Sequence, residues 1–212
     1  MLETEYFDIG PKVKEGYNRN NYNEKYRATT GITSFEKKSL DLFLSLLPEN
    51  ATVLDLGCGS ANTYDRYIIE QGCNLVGVDF SLVQIERARK NCPQAIFYYG
   101  DILEYPISEI YDGITLFYSL FHISRERHAD LLKRIYDSTS RNSTILLNIR
   151  NEDSGGVKMK SDFCDYPMYW SHYSSEVFLE IIRNIGFQYH IIGDEKEFGS
   201  SESHLWLILQ KA

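Results

Sequence analysis

From Ala51 to Arg150 the chain alternates short apolar runs with amphipathic stretches, and few folds satisfy that order. ATVLDLG, CNLVGVD, AIFYYGD, DGITLFYSL and STILLNIR read as strands; helices are expected near 62–71, over SLVQIERARKN and over RERHADLLKRIYDST. The strands are apolar on both faces, so each must be covered on both sides. Joined through helices, they predict a parallel sheet with helices packed on either face.

Outside this block the pattern changes. Residues 1–31 are polar and rich in Asn and Tyr, and read as an arm or short helix laid over something else. From Thr33 an apolar stripe through Phe35, Leu40, Phe43, Leu44 and Leu47 predicts a helix, capped by Thr33 or Ser34 and closed before Pro48. Residues 151–173 read as a long irregular insertion in which aromatics stand among glycines and charges. A helix over EVFLEIIRNIG follows, then GFQYHIIG and SHLWLILQ, two strands with no helix between them. These should pair antiparallel, closing the sheet with a reversed strand.

At 212 residues and 43% hydrophobic, the chain suits one core, so residues 1–212 are expected to form a single domain. The net charge of -8, with no basic stripe, argues against nucleic acid as a partner. Cys58, Cys73, Cys92 and Cys164 show neither zinc spacing nor a secreted disulfide framework, so no metal is expected. No segment is apolar enough to span a bilayer and the first residues lack signal-peptide character, so a cytoplasmic protein without membrane contact is expected.

In an open α/β sheet, ligands bind beyond the carboxyl ends of the strands, where strand order reverses. The first such turn is Asp55-Leu56-Gly57-Cys58-Gly59-Ser60-Ala61, whose glycines admit a ligand close to the backbone. Asp79 ends the second strand, twenty residues beyond Gly59, where its carboxylate can accept from both hydroxyls of a ribose. Together they point to a nucleoside cofactor. A dinucleotide fingerprint begun at Gly57 needs Gly or Ala at its sixth position, and Asn62 stands there.

Through VLDLGCGSA, VGVDFS, the YYGDI turn and DGITLFYSLFHI, the sequence resembles the class I S-adenosylmethionine-dependent methyltransferases, from about Thr33 to Lys211. The resemblance implies a Rossmann-like three-layer sandwich with a mostly parallel seven-stranded sheet and an antiparallel C-terminal strand. It implies S-adenosyl-L-methionine as cofactor and S-adenosyl-L-homocysteine as product. It implies that the Gly57–Gly59 turn with Cys58 touches the methionine and adenosyl parts, that Asp79 holds the ribose, and that Phe80 lies against adenine. Asp101 and Ile102 would border the adenine amine, and Asp55, Tyr118 and Ser119 join the same set. The loop departs from the family at Ala61, where a third glycine is common.

A sulfonium is an activated leaving group, so transfer needs an in-line approach and exclusion of water more than a protein nucleophile. His122, after the fourth strand, is the general-base candidate, with a backbone-bonded structural histidine as the alternative. By the same resemblance, residues 151–173 are a lid over a small-molecule acceptor, with Tyr169, Trp170 and His172 as its contacts; a plug closing the core is the other reading. Tyr17, Tyr22 and Tyr26 of the arm would close over the cofactor or pack on the first helix. Protein or RNA methylation, a non-catalytic binding module and a nicotinamide-dependent oxidoreductase are the competing functions. The acceptor itself is not legible.

Overall fold

The computed structural model describes residues 9–19, 31–108, 110–160, 166–196 and 203–211. An N-terminal helix α1 (Gly10–Arg19) precedes α2 (Ser34–Ser45), β1 (Thr52–Leu56), α3 (Tyr64–Glu70), β2 (Asn74–Asp79), α4 (Leu82–Asn91), β3 (Ile96–Tyr99) and β4 (Gly113–Leu116). Then come α5 (His128–Ser138), β5 (Thr144–Arg150), β6 (Val157–Lys160), β7 (Met168–Ser171), α6 (Ser175–Ile185), β8 (Phe187–Lys196) and β9 (Ser203–Lys211).

Seven strands form one sheet in the order β3-β2-β1-β4-β5-β9-β8. Strands β1 to β5 pair in parallel, and β9 runs antiparallel to both β5 and β8. The reversed strand expected from the sequence is therefore present. It lies inside the sheet, because β9 folds back between β5 and β8 and leaves β8 at the edge. Strand order reverses at β1, which has β2 on one side and β4 on the other, and this opens a crevice at their carboxyl ends.

Alternation along each strand divides the core. Leu54 and Leu56 of β1, Ile145, Leu147 and Ile149 of β5, and Leu205, Leu207 and Leu209 of β9 face α5 and α6, packing with Leu131, Leu132, Ile135, Phe178 and Ile182. Val53, Leu146, Trp206 and Ile208 face the other way and pack with Leu40, Phe43, Ile68, Ile85 and Ala88 of α2, α3 and α4. Local signals agree with these bounds. The Thr33 hydroxyl accepts from the Glu36 N–H while the Glu36 carboxylate accepts from the Thr33 N–H, a reciprocal cap on α2. Ser81 caps α4, and Gly186, at φ 111°, ends α6.

The expectation for residues 151–173 needs correction: the segment is not irregular throughout. Strands β6 and β7 form an antiparallel hairpin, from Val157 opposite Ser171 to Lys160 opposite Met168. Strand β6 is exposed, whereas Met168 and Trp170, two apart on β7, turn to one side and join Ile9, Val13 and Phe121 in a third apolar cluster beneath α1. Gly16 marks how close the two elements lie, since a Cβ there would fall 2.9 Å from the Met168 methyl. The N-terminal segment thus contains a docked helix. Among the described residues, no helix is long and apolar enough to cross a membrane.

Candidate active site

The crevice at the ends of β1, β2 and β4 is a cleft enclosing about 970 Å³, open solvent at its mouth included. Its floor is the turn after β1. Gly57 and Cys58 both donate their N–H to the Val78 carbonyl, at 2.8 and 3.1 Å, which folds the turn over the end of β2. Gly57 holds φ at 94°, and a Cβ there would meet the Ser119 Cβ at 2.5 Å; both facts demand glycine. Ala61 adopts φ 53° in the same turn, so the loop takes the left-handed conformation without the third glycine.

Asp79 ends β2 with its carboxylate buried in the cleft wall. Its Oδ2 accepts from the Gly59 N–H at 3.0 Å and its Oδ1 from the Ser81 N–H at 2.8 Å, tying the glycine turn to the start of α4. Burial raises its pKa to about 6 against the pull of those two donors. Asp55 lies beside Thr115 of β4 in the strand register, and its Oδ1 accepts the Thr115 hydroxyl at 2.6 Å. Burial raises Asp55 to about 6 as well.

The opposite wall follows β4. Tyr118 sits at φ 54°, an uncommon conformation for a non-glycine residue, and donates its N–H to Asn148 Oδ1 at 2.8 Å. Its hydroxyl donates to Glu36 Oε1 at 3.1 Å, and the Tyr64 hydroxyl donates to the same oxygen. One buried carboxylate thereby caps α2 and fixes two aromatic rings of the cleft.

His122 lines the cleft and is buried. Its Nδ1 is 2.9 Å from the Tyr169 carbonyl, which can only accept, so Nδ1 carries the proton of the neutral ring. Its Nε2 is then the acceptor for the Tyr17 hydroxyl at 2.8 Å. Burial depresses the pKa to about 3, with Arg150 and His172 acting in the same direction against the carbonyl. Cys58 is a poor nucleophile, because burial and the carboxylates of Asp79, Asp65 and Asp55 push its thiol up.

The cleft gathers Asp55, Gly57, Cys58, Gly59, Asp79 and Phe80, together with Asp101, Ile102, Tyr118, Ser119 and His122, as the sequence led one to expect. Tyr22 and Tyr26 lie outside the described residues. Tyr169, Trp170 and His172 are not among its lining residues: Trp170 is 9% exposed in the α1 cluster, and His172 is buried behind the hairpin beside Arg150. The Tyr169 carbonyl reaches the site indirectly, by accepting from His122 Nδ1.

Sequence reasoning missed Ser60, Tyr64 and Asp65. Ser60 and Asp65 follow the glycine turn closely, and that proximity was the available signal. Ser60 Oγ, Asp65 Oδ1 and Ser119 Oγ are buried with no hydrogen-bond partner, and all three residues line the cleft. Orphaned polar atoms converging on a cavity fit a polar ligand that supplies their partners. Among the described residues no cluster of His, Cys, Asp and Glu could hold a metal ion.

A family model described as a methyltransferase domain matches residues 53–142, the stretch from β1 into the turn after α5. The carboxy-S-adenosyl-L-methionine synthase of Campylobacter curvus is 33% identical over 108 residues, covering 46% of this chain and 43% of the relative. The chain spans about half the length of the curated relatives it matches. The magnesium protoporphyrin IX methyltransferase of Synechocystis PCC 6803, solved with bound S-adenosylmethionine, superposes with a TM-score of 0.69 at 14% identity, covering 98% of this chain and 99% of that one. The 1,6-didemethyltoxoflavin-N1-methyltransferase of Burkholderia thailandensis gives 0.67 at 14%, covering 95% and 88%. Residues 53–142 therefore match a methyltransferase domain model, and the described fold is the Rossmann-like fold of these solved methyltransferases.

Proposed function

We propose that this chain transfers the S-methyl group of S-adenosylmethionine to a small-molecule acceptor by direct in-line displacement. The observation that carries the reading is the cleft at the β1 switch point. There the Gly57–Gly59 turn, the Asp79 carboxylate and the unpartnered Ser60, Asp65 and Ser119 oxygens face one cavity. When bound, the cofactor supplies a methyl group activated by its sulfonium. Asp79 would accept from the ribose hydroxyls, Phe80 and Ile102 would flank the adenine, and the glycine turn would admit the chain of atoms between them. A small-molecule acceptor is supported by the names of two structural neighbours, which give magnesium protoporphyrin IX and 1,6-didemethyltoxoflavin as the compounds methylated.

In this reading His122 positions rather than abstracts. A neutral imidazole locked to the Tyr169 carbonyl holds the Tyr17 hydroxyl in the lining of the cleft, where it would help to exclude water. A histidine with a depressed pKa is charged only as the pH falls toward 3, so it contributes no titration step near neutrality. Turnover is expected to show no limb assignable to His122 between pH 5 and 8, and Tyr17→Phe should impair it about as much as His122→Asn. An acidic limb near pH 6.5 that His122→Asn removes would restore the histidine as base.

The names of two curated relatives raise a second reading, synthesis of a carboxylated cofactor. Four aspartates, and neither lysine nor arginine, line the cleft among the described residues, so an added carboxylate would find like charges and no cation. This favours the unmodified methyl donor. Mass spectrometry of the nucleosides recovered after incubation with S-adenosylmethionine and cell metabolites separates the two readings. S-adenosylhomocysteine formed alongside a methylated acceptor is the expected product.

A further inference from the structure

Asp65 sits in the first turn of α3, 2% exposed, with its carboxylate in the wall of the cleft. Its Oδ1 has no hydrogen-bond partner, and a side-chain hydrogen bond joins it to Asp55 on β1. Two ionised carboxylates only accept, so that bond requires a proton on one of them. The groups facing Asp65 do nothing to remove the proton. Asp55 comes from β1, Asp79 from β2, the Cys58 thiol from the glycine turn and the Cys92 thiol from the end of α4. All are acids, and among the described residues the lining contains no lysine or arginine. Burial and the neighbouring Asp55 charge hold Asp65 well above the usual carboxylate range, in keeping with the shared proton.

A second orphan lies alongside. Ser60, 3% exposed, follows the glycine turn and keeps its hydroxyl oxygen unpartnered in the same cleft. The serine oxygen and the free Asp65 oxygen are both acceptors. The ligand group that satisfies two buried acceptors beside a carboxylic acid pair is a cationic donor, and an ammonium has three N–H bonds to give.

We propose that Asp55 and Asp65 share one proton in the ligand-free cleft and release it to solvent on seating the α-ammonium of the cofactor's methionyl end, so that cofactor binding expels a proton. The inference rests on the reading of the cleft as an S-adenosylmethionine site and adds to it a residue and a pH dependence. The competent form is the one that has lost the shared proton. Affinity is therefore greatest above the upper titration of the pair and falls as the pH drops through it, by up to about tenfold per unit for one linked proton.

The test is calorimetric titration of the full chain with S-adenosylhomocysteine and with 5′-methylthioadenosine, near pH 6, in buffers of different ionisation enthalpy. The second nucleoside keeps the ribose but lacks the amino-acid end. Any proton that Asp79 gives up on meeting the ribose therefore appears with both ligands. The proposal predicts up to one more proton released with S-adenosylhomocysteine than with methylthioadenosine. It also predicts that Asp65→Asn abolishes the difference, lowers affinity for S-adenosylhomocysteine and leaves that for methylthioadenosine unchanged. Equal proton release by the two ligands in the unaltered protein overturns it, whatever the variant does. A variant that binds neither ligand has lost its fold, and the unaltered protein then decides alone. Failure of the unaltered protein to bind S-adenosylhomocysteine overturns the cofactor reading itself.

Discussion

Asp79→Asn is expected to weaken S-adenosylhomocysteine binding by roughly 1.5–3 kcal/mol, about ten- to a hundredfold, the range for hydrogen bonds to a charged acceptor. The amide keeps the shape of the carboxylate but can accept on one atom only. One of the Gly59 and Ser81 N–H groups then faces an NH2 instead of an oxygen. The effect on stability has the opposite tendency. Because the folded-state pKa of Asp79 is raised to about 6 from 3.8, its contribution to stability is fully present below 3.8. That contribution is lost as the pH rises through 6. At pH 7.5 the buried charge costs on the order of 3 kcal/mol, comparable to the amide mismatch that replaces it. Thermal denaturation should therefore find the two proteins close in stability at pH 7.5, with the unaltered protein gaining on the variant as the pH falls from 6 to 4. Unchanged affinity in the variant would remove Asp79 from the binding site.

Trp170→Ala is expected to cost about 3 kcal/mol, the lower end for deleting a large buried aromatic, because part of its edge is already wet. The loss should be local. Trp170 packs with Ile9, Val13, Phe121 and Met168, and the Arg150 guanidinium lies 5.7 Å from its ring and 5.2 Å from that of Phe121. Without the indole, α1 loses its seat on β7, and with it the placement of Tyr17 against His122. Hydrogen exchange should quicken in residues 9–19 and 166–171 while the central strands keep their protection. A variant that retains this protection but needs far more acceptor for half-maximal rate would make Trp170 an acceptor contact instead.

These two positions also mark how far the sequence could be read. The place of Asp79 in the cleft was legible because it depends on local facts: a buried strand, its end, and an acid at a fixed distance from a glycine turn. The parallel sheet with its reversed C-terminal strand was legible for a similar reason, since strands joined through helical crossovers must run parallel and two joined without one must pair antiparallel. Trp170 was not. Its partners Ile9, Val13 and Phe121 lie far away in sequence, and the alternation Met168-Tyr169-Trp170 is too short to separate a strand from an aromatic loop. Asp65 escaped because an acid in the first turn of a helix ordinarily faces water and favours the helix dipole. Here that turn lies over the end of β1, and the acid points at Asp55. His122 was found by position, but its proton was decided by two partners from other segments, the Tyr17 hydroxyl and the Tyr169 carbonyl.

The most direct measurement is a pair of calorimetric titrations at pH 7.5, one with S-adenosylhomocysteine and one with NAD. The account predicts saturable binding of one S-adenosylhomocysteine per chain, sharply weakened in Asp79→Asn, and no binding of NAD. Binding of NAD without S-adenosylhomocysteine, or of neither, would contradict the assignment of this cleft to a methyl donor.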